Sequence, residues 1–246
     1  MAQSMSLSEV ASTPTREHGS RSPHRLSRAA LAGLLLVAGP TLTSCGELGG
    51  NDYGKNHSRI WEDIDFDKDP KIHQMQPPLP NPQGNRKIDP QGITLHWWGY
   101  RGKHGVNSLR DGLAVNSACG DTGCSVQYAV LRNGKIVRMM ASATEFAYHA
   151  RGANPTSFGI EIEGTPKDLK MDDQHFNRRQ FSAVVALSAE LVQDFHLQIN
   201  GPATCDSPVG MHGHSEFNKC STPRGHKIDP SPAYVDAVKA AVETMQ

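Results

Sequence analysis

His96, His214 and Asp229 are residue types that ligate zinc, and each sits in its own local frame: Ile93-Thr94-Leu95-His96-Trp97-Trp98, Gly213-His214-Ser215-Glu216 and Lys227-Ile228-Asp229-Pro230. Two neutral imidazoles and one carboxylate suit tetrahedral Zn²⁺ and leave the fourth position open for water, the ligand count of a catalytic rather than a structural site. Such a set points to metal-assisted hydrolysis. The chain holds 12 histidines, so His212 and His226 compete with His214 for the second ligand position.

Ligands so far apart in sequence need rigid elements to bring them together. Ile93 to Trp97 alternates with period two, which predicts a strand with Ile93, Leu95 and Trp97 on one face and Thr94, His96 and Trp98 on the other. Gly159 to Glu163 alternates likewise, with Ile160 and Ile162 inward and Glu161 and Glu163 opposite. If that opposite face also carries His96, either glutamate is placed for acid–base work, although a charged residue on a strand face is more often simply solvated. Val126–Leu131 and Lys135–Met140 flank Asn133-Gly134, a strong hairpin signal.

Helical periodicity appears in three places. A short helix is expected over Asn107–Asn116 with Ser108 as its cap, and a long amphipathic one over Asp173–His196 from Phe181, Val184, Val185, Ser188, Leu191, Val192 and Phe195. Pro232 suits a first helical position, with Val235, Val238, Val242 and Met245 along the helix that follows. Strands interleaved with helices argue for an α/β fold: a central mixed β-sheet flanked by α-helices in a single catalytic domain. No internal repeat is visible.

The amino-terminal part reads as addressing. Arg16, Arg21, Arg25 and Arg28 precede the apolar run Ala29–Ala38, which is closed by Pro40 and falls well short of the roughly 20 residues of a spanning helix. Leu42-Thr43-Ser44-Cys45 then resembles the lipobox of bacterial lipoproteins, so residues 1–44 are expected to be a lipoprotein signal peptide and Cys45 a lipidated amino terminus. Residues 45–90, polar and rich in proline around Gln76-Pro77-Pro78-Leu79-Pro80-Asn81-Pro82, are expected to be a tether without regular structure. The domain proper then occupies residues 91–246.

Basic and acidic residues balance at 25 each, with no basic stripe, which argues against nucleic acid as a partner. A secreted context makes disulfides the expected state of the four cysteines beyond Cys45. Proximity suggests Cys119 with Cys124 and Cys205 with Cys220, yet four cysteines permit three connectivities. Neither spacing is that of a closely paired structural zinc knuckle.

Several of these segments, in order, resemble one family. Ile93-Thr94-Leu95-His96, Arg132-Asn133-Gly134, Ala147-Tyr148-His149-Ala150, Asn154, Ser157-Phe158-Gly159-Ile160-Glu161-Ile162-Glu163-Gly164, Gly213-His214-Ser215-Glu216 and Lys227-Ile228-Asp229-Pro230-Ser231-Pro232 are similar to zinc-dependent N-acetylmuramoyl-L-alanine amidases, relatives of the peptidoglycan recognition proteins. No single segment is decisive; their order is what carries weight. The resemblance implies His96, His214 and Asp229 as zinc ligands, Glu161 as acid/base and Lys227 as the cation beside the metal. It implies hydrolysis of the amide between the lactyl group of N-acetylmuramic acid and L-alanine, in peptidoglycan or muropeptides.

His149, Asn154 and Trp97 are further candidates for touching substrate. The enzyme is expected to act as a monomer in the bacterial cell envelope, anchored to a membrane through Cys45. The 15 residues from His214 to Asp229 exceed the spacing of compact members, and a Cys205–Cys220 bridge would brace that loop. Val126 stands where some members carry a tyrosine, which favours the subgroup that uses glutamate. The competing reading is a non-catalytic peptidoglycan-binding module of the same fold. A zinc deaminase fits poorly, because the Pro-Cys-x-x-Cys partner of its H-x-E motif is missing.

Overall fold

The computed structural model describes residues 60–99, 105–114, 123–165, 171, 175–220 and 227–246. Within them lie strands β1 (Ile72–Leu79), β2 (Gly92–Trp97), β3 (Tyr128–Val130), β4 (Ile136–Met140), β5 (Ser157–Ile162) and β6 (Gly210–Gly213). Helices α1 (Val106–Ala114), α2 (Arg178–Phe195) and α3 (Pro232–Glu243) accompany a 3-10 helix over His214–Cys220. The strands form one mixed sheet in the order β1-β4-β3-β5-β2-β6. Only β3 and β4 pair antiparallel, through the Asn133-Gly134 turn, where Gly134 takes a φ of 78° that a side chain would disfavour. The expected α/β architecture is therefore the observed one.

Two apolar layers sandwich this sheet. On one face, Ile93 and Leu95 of β2 and Phe158, Ile160 and Ile162 of β5 pack with Phe181, Val184 and Leu187 of α2 and with Tyr234, Val235 and Val238 of α3. On the other, Ala129, Val137 and Met139 meet Leu109 and Leu113 of α1. Each fully buried Phe, Leu or Ile contributes about 1.5–3 kcal/mol by leaving water. Burial on both faces is what parallel strands require, and it explains why β2 is almost continuously buried although its sequence alternates.

Helix ends differ from expectation in instructive ways. α2 starts at Arg178 rather than near Asp173, because the Asn177 side chain accepts a hydrogen bond from Gln180 N and caps the helix there. It ends at His196, which sits in the left-handed region at φ 53°. In α1 the cap assigned to Ser108 is incorrect: Ser108 lies inside the helix, whose first turn donates from Ser108 N and Leu109 N to Gly105 O. α3 begins with Pro232 behind a Ser231 cap.

The largest correction concerns the tether. Residues from 60 onward belong to the folded domain: Trp61 is buried against Phe181, with ring centroids 6.3 Å apart, and Ile72–Leu79 forms the outer strand of the sheet. Proline is tolerated on an outer strand because half its backbone donors face no partner. Here Pro77 and Pro78 fall in the irregular interval between Gln74 and Leu79, where the pairing with β4 shifts register. Trp61→Ala is therefore expected to destabilise the domain by about 3 kcal/mol, as core Trp truncations do. A urea midpoint unchanged from wild type would return this segment to the status of a tether.

Cys205 and Cys220 are bonded, with Cα atoms 5.2 Å apart and a sequence separation of 15, a loop whose closure contributes about 3 kcal/mol. Cys119 and Cys45 lie outside the described residues, as does His226.

Candidate metal centre

Topology does what sequence spacing cannot. β5, β2 and β6 are neighbours and run parallel, so their carboxyl ends share one edge of the sheet, the place where α/β sheets present ligands. His96 lies near that end of β2, directly opposite Glu161 of β5, and His214 follows the last residue of β6. Asp229 arrives from the segment leading into α3, held by a hydrogen bond from Ser215 N to Asp229 O at 3.2 Å. The 15-residue excursion thus returns to where it began.

His96 Nδ1 lies 3.0 Å from His214 Nδ1, which lies 3.3 Å from Asp229 Oδ2. One ligand atom from each residue falls within 4.8 Å of the others. Zinc bonds of about 2.0–2.1 Å in a tetrahedron separate neighbouring ligand atoms by about 3.3 Å. The donor set therefore fits a small divalent cation in chemistry and in spacing. Burial, with smaller effects from His214, His149 and Lys227, holds His96 well below the ordinary histidine range, so its ring is neutral at pH 7, the form able to ligate a cation.

Of the rivals, His212 is turned away. Its Nε2 lies 2.9 Å from Val209 O and its Nδ1 3.0 Å from Glu216 Oε2, while Glu216 Oε1 accepts from Gly213 N. Burial alone would raise the Glu216 carboxyl, but the bonds from His212 and Gly213 outweigh it and hold it low. This brace stiffens the turn that aims His214.

Glu163 is spoken for as well. Its carboxylate accepts from Gly105 N and Arg132 N, at 2.9 and 2.8 Å, and so ties the start of α1 and the hairpin to β5. Glu161 shares the face of His96 and, among the described residues, is not committed to backbone donors. Burial pushes its carboxyl up to about 8, the Asp229 carboxylate adds to the rise, and the Lys227 ammonium opposes it.

This has a stability consequence. A carboxyl whose folded pKa exceeds its unfolded value stabilises the fold relative to its ionised form below about pH 4.5, and that advantage is lost as pH rises through about 8. In chelator-treated protein, Glu161→Gln is expected to raise stability by about 1–3 kcal/mol at pH 7 and by nothing near pH 4. Denaturant titrations at the two pH values would show it; equal increments at both would refute the burial argument.

Lys227 is exposed, but its backbone is clamped at both ends by one side chain: Asn218 Nδ2 donates to Lys227 O at 2.7 Å and Lys227 N donates to Asn218 Oδ1 at 2.8 Å. Asn218 was missed by sequence reasoning. Only its position on the 3-10 helix, pinned at its end by the Cys205–Cys220 bond, brings it opposite Lys227.

The three residues expected to touch substrate are placed as follows. Trp97 alternates away from His96 and packs against the α2/α3 side of the core. Asn154 Oδ1 accepts from His149 N and Ala150 N, at 2.9 and 2.8 Å, fixing the turn before β5. His149 is packed against His96, its Nδ1 3.1 Å from His96 Nε2 and its own Nε2 3.1 Å from Ser157 O. Burial lowers His149 to about 3, so this ring too is neutral.

One mixed sheet thus brings His96 and His214, at the ends of parallel strands, together with Asp229 from the segment before α3. Residues 85–232 match the N-acetylmuramoyl-L-alanine amidase family, and the chain belongs to it. Among solved structures, peptidoglycan recognition protein-LE in complex with tracheal cytotoxin is similar in fold, with a TM-score of 0.50 at 12% identity over 69% of this chain and 92% of that one. A selenomethionine AmpD derivative aligns at 18% identity and TM-score 0.49 over 73% of this chain and 99% of that one. The amidase LysC from Clostridium intestinale URNW aligns at 16% and 0.46 over 71% and 99%. A search of curated proteins finds no match.

Proposed function

We propose that this protein hydrolyses the amide between the lactyl group of N-acetylmuramic acid and L-alanine, with zinc held by His96, His214 and Asp229. The observation that carries the reading is the convergence of those three ligand atoms beside Glu161. Bound zinc supplies Lewis acidity and a water nucleophile at neutral pH, the two things an unactivated amide lacks. Glu161 takes a proton from the attacking water and returns one to the leaving L-alanine nitrogen. A cation at the ligand set draws its carboxyl back toward the ionised form needed for the first transfer. Lys227, held by Asn218, brings positive charge to the oxyanion that develops on the lactyl carbonyl.

The same reading extends to place. Lipidation of Cys45 would hold the domain at a membrane of the bacterial envelope, within reach of peptidoglycan; labelled palmitate incorporated by wild type and lost in Cys45→Ala would support it.

Purified muropeptides digested with and without chelator, followed by mass analysis, test the reaction. Expected products carry a free L-alanine amine and an intact lactyl carboxylate, and appear only with zinc. Muropeptide bound but uncut by the metal-loaded protein would identify a binding module instead.

A further inference from the structure

We infer that His149 is a positioning residue for the metal centre: by accepting a hydrogen bond from His96 Nε2–H, it orients the His96 ring and leaves Nδ1 as a bare lone pair facing His214 and Asp229. The Ser157 carbonyl can only accept, so His149 Nε2, 3.1 Å away, carries a hydrogen and donates. In a neutral ring the other nitrogen then has a free lone pair. His149 Nδ1 is therefore an acceptor, and His96 Nε2 at 3.1 Å is the donor that meets it. A His96 ring whose one N–H is this Nε2–H has Nδ1 unprotonated, and that is the atom 3.0 Å from His214 Nδ1. One backbone carbonyl thus sets two tautomers in succession. An outer partner of this kind orients a ligand and keeps it basic.

The surroundings hold this relay in place. Asn154 anchors the backbone of His149 and Ala150. The ring of His149 lies against Gly159, where a Cβ would come within 2.7 Å of His149 Cγ and 2.9 Å of its Cδ2. Glycine at 159 is thus explained without any unusual φ: it makes room for the ring. Ser157 and Gly159 also belong to the strand that carries Glu161, so the relay locks β2 and β5 into one unit. His149 thereby moves from the substrate groove, where its type had suggested it belonged, to a place behind the metal ligand.

The inference rests on the zinc reading of His96, His214 and Asp229, and its test separates the two. The full-length protein is compared with His149→Leu, His149→Asn and Gly159→Ala by chelator competition for zinc. Nitrogen-15 NMR of the chelated protein reports which His96 nitrogen bears the proton. Asn places its Oδ1 where His149 Nδ1 stands, so it keeps the acceptor while losing the bond to Ser157. Expected are a 10–100-fold weaker zinc affinity in His149→Leu, affinity within a few-fold of wild type in His149→Asn, and weakening in Gly159→Ala although His149 is still present. Wild-type His96 should show protonated Nε2 and bare Nδ1. Unchanged zinc affinity in His149→Leu, equal weakening by Leu and Asn, or a proton on Nδ1 of wild-type His96 overturns the proposal. If wild type binds no zinc, the metal reading falls, and the site of the His96 proton alone decides the relay.

Discussion

Asp229→Ala is expected to remove zinc binding and turnover together. In the proposed centre the carboxylate would supply one of three protein ligands and the only carboxylate charge among them, so its loss leaves two imidazoles facing each other at 3.0 Å. Zinc affinity should fall by well over 100-fold, beyond what loss of an outer hydrogen-bond partner produces, and muropeptide cleavage should drop to background. Folding should survive, because Asp229 is held by its backbone through Ser215 N and because Pro230 and the Ser231 cap of α3 are untouched. Metal content after dialysis, read beside the urea midpoint, checks both halves. A variant that keeps stoichiometric zinc and wild-type turnover would remove Asp229 from the centre, and with it the feature that most favours an enzyme over a binder.

Glu161→Gln should separate metal binding from chemistry. Its side chain lies beside the ligand set without belonging to it, so zinc affinity is expected to stay within a few-fold of wild type. The rate of cleavage should fall by about 10²–10⁴-fold, the range associated with loss of a general acid–base group. Glutamine keeps size and some hydrogen bonding but cannot accept a proton from water at neutral pH. The effect should therefore sit in kcat rather than in KM. The same substitution should stabilise the chelated protein at pH 7, because a carboxyl pushed up to about 8 by burial, and ionised when unfolded, no longer has to take up a proton on folding there. Gain of stability with loss of rate is the pattern expected when burial is spent on function. Glu163→Gln is a useful contrast: with its carboxylate bound to Gly105 N and Arg132 N, it should affect stability before chemistry.

The local chemistry was legible along the chain wherever it depends on near neighbours. Alternation around His96 and Glu161 puts both on strand faces, Asn133-Gly134 makes the turn, and Pro232 opens the last helix. Such signals depend on steric preferences a few residues wide. They failed where a long-range contact overrode them. The proline-rich stretch at Gln76–Pro82 has little strand propensity, yet Ile72–Gln74 before it and Leu79 within it pair with β4, and Trp61 has Phe181 to pack on. The start of α2 moved because the Asn177 side chain accepts from Gln180 N and caps the helix there.

By itself, then, the sequence determined the inventory: two histidines and an aspartate able to hold zinc, glutamates on a strand face, and an α/β pattern to carry them. Tertiary structure decided the roles. Strand order β5-β2-β6 places Glu161 beside His96 and His96 beside His214, although 53 residues separate Glu161 from His214 in the chain. Of two glutamates with the same orientation, it gives Glu163 to backbone donors and Glu161 to the metal side. It likewise packs a partly buried Trp97 against the core and sets His149 beside His96. The physical reason is that a ligand or base is defined by which lone pairs converge on one point. Convergence depends on how strands that are distant in sequence pair in space, and a local pattern carries no record of that.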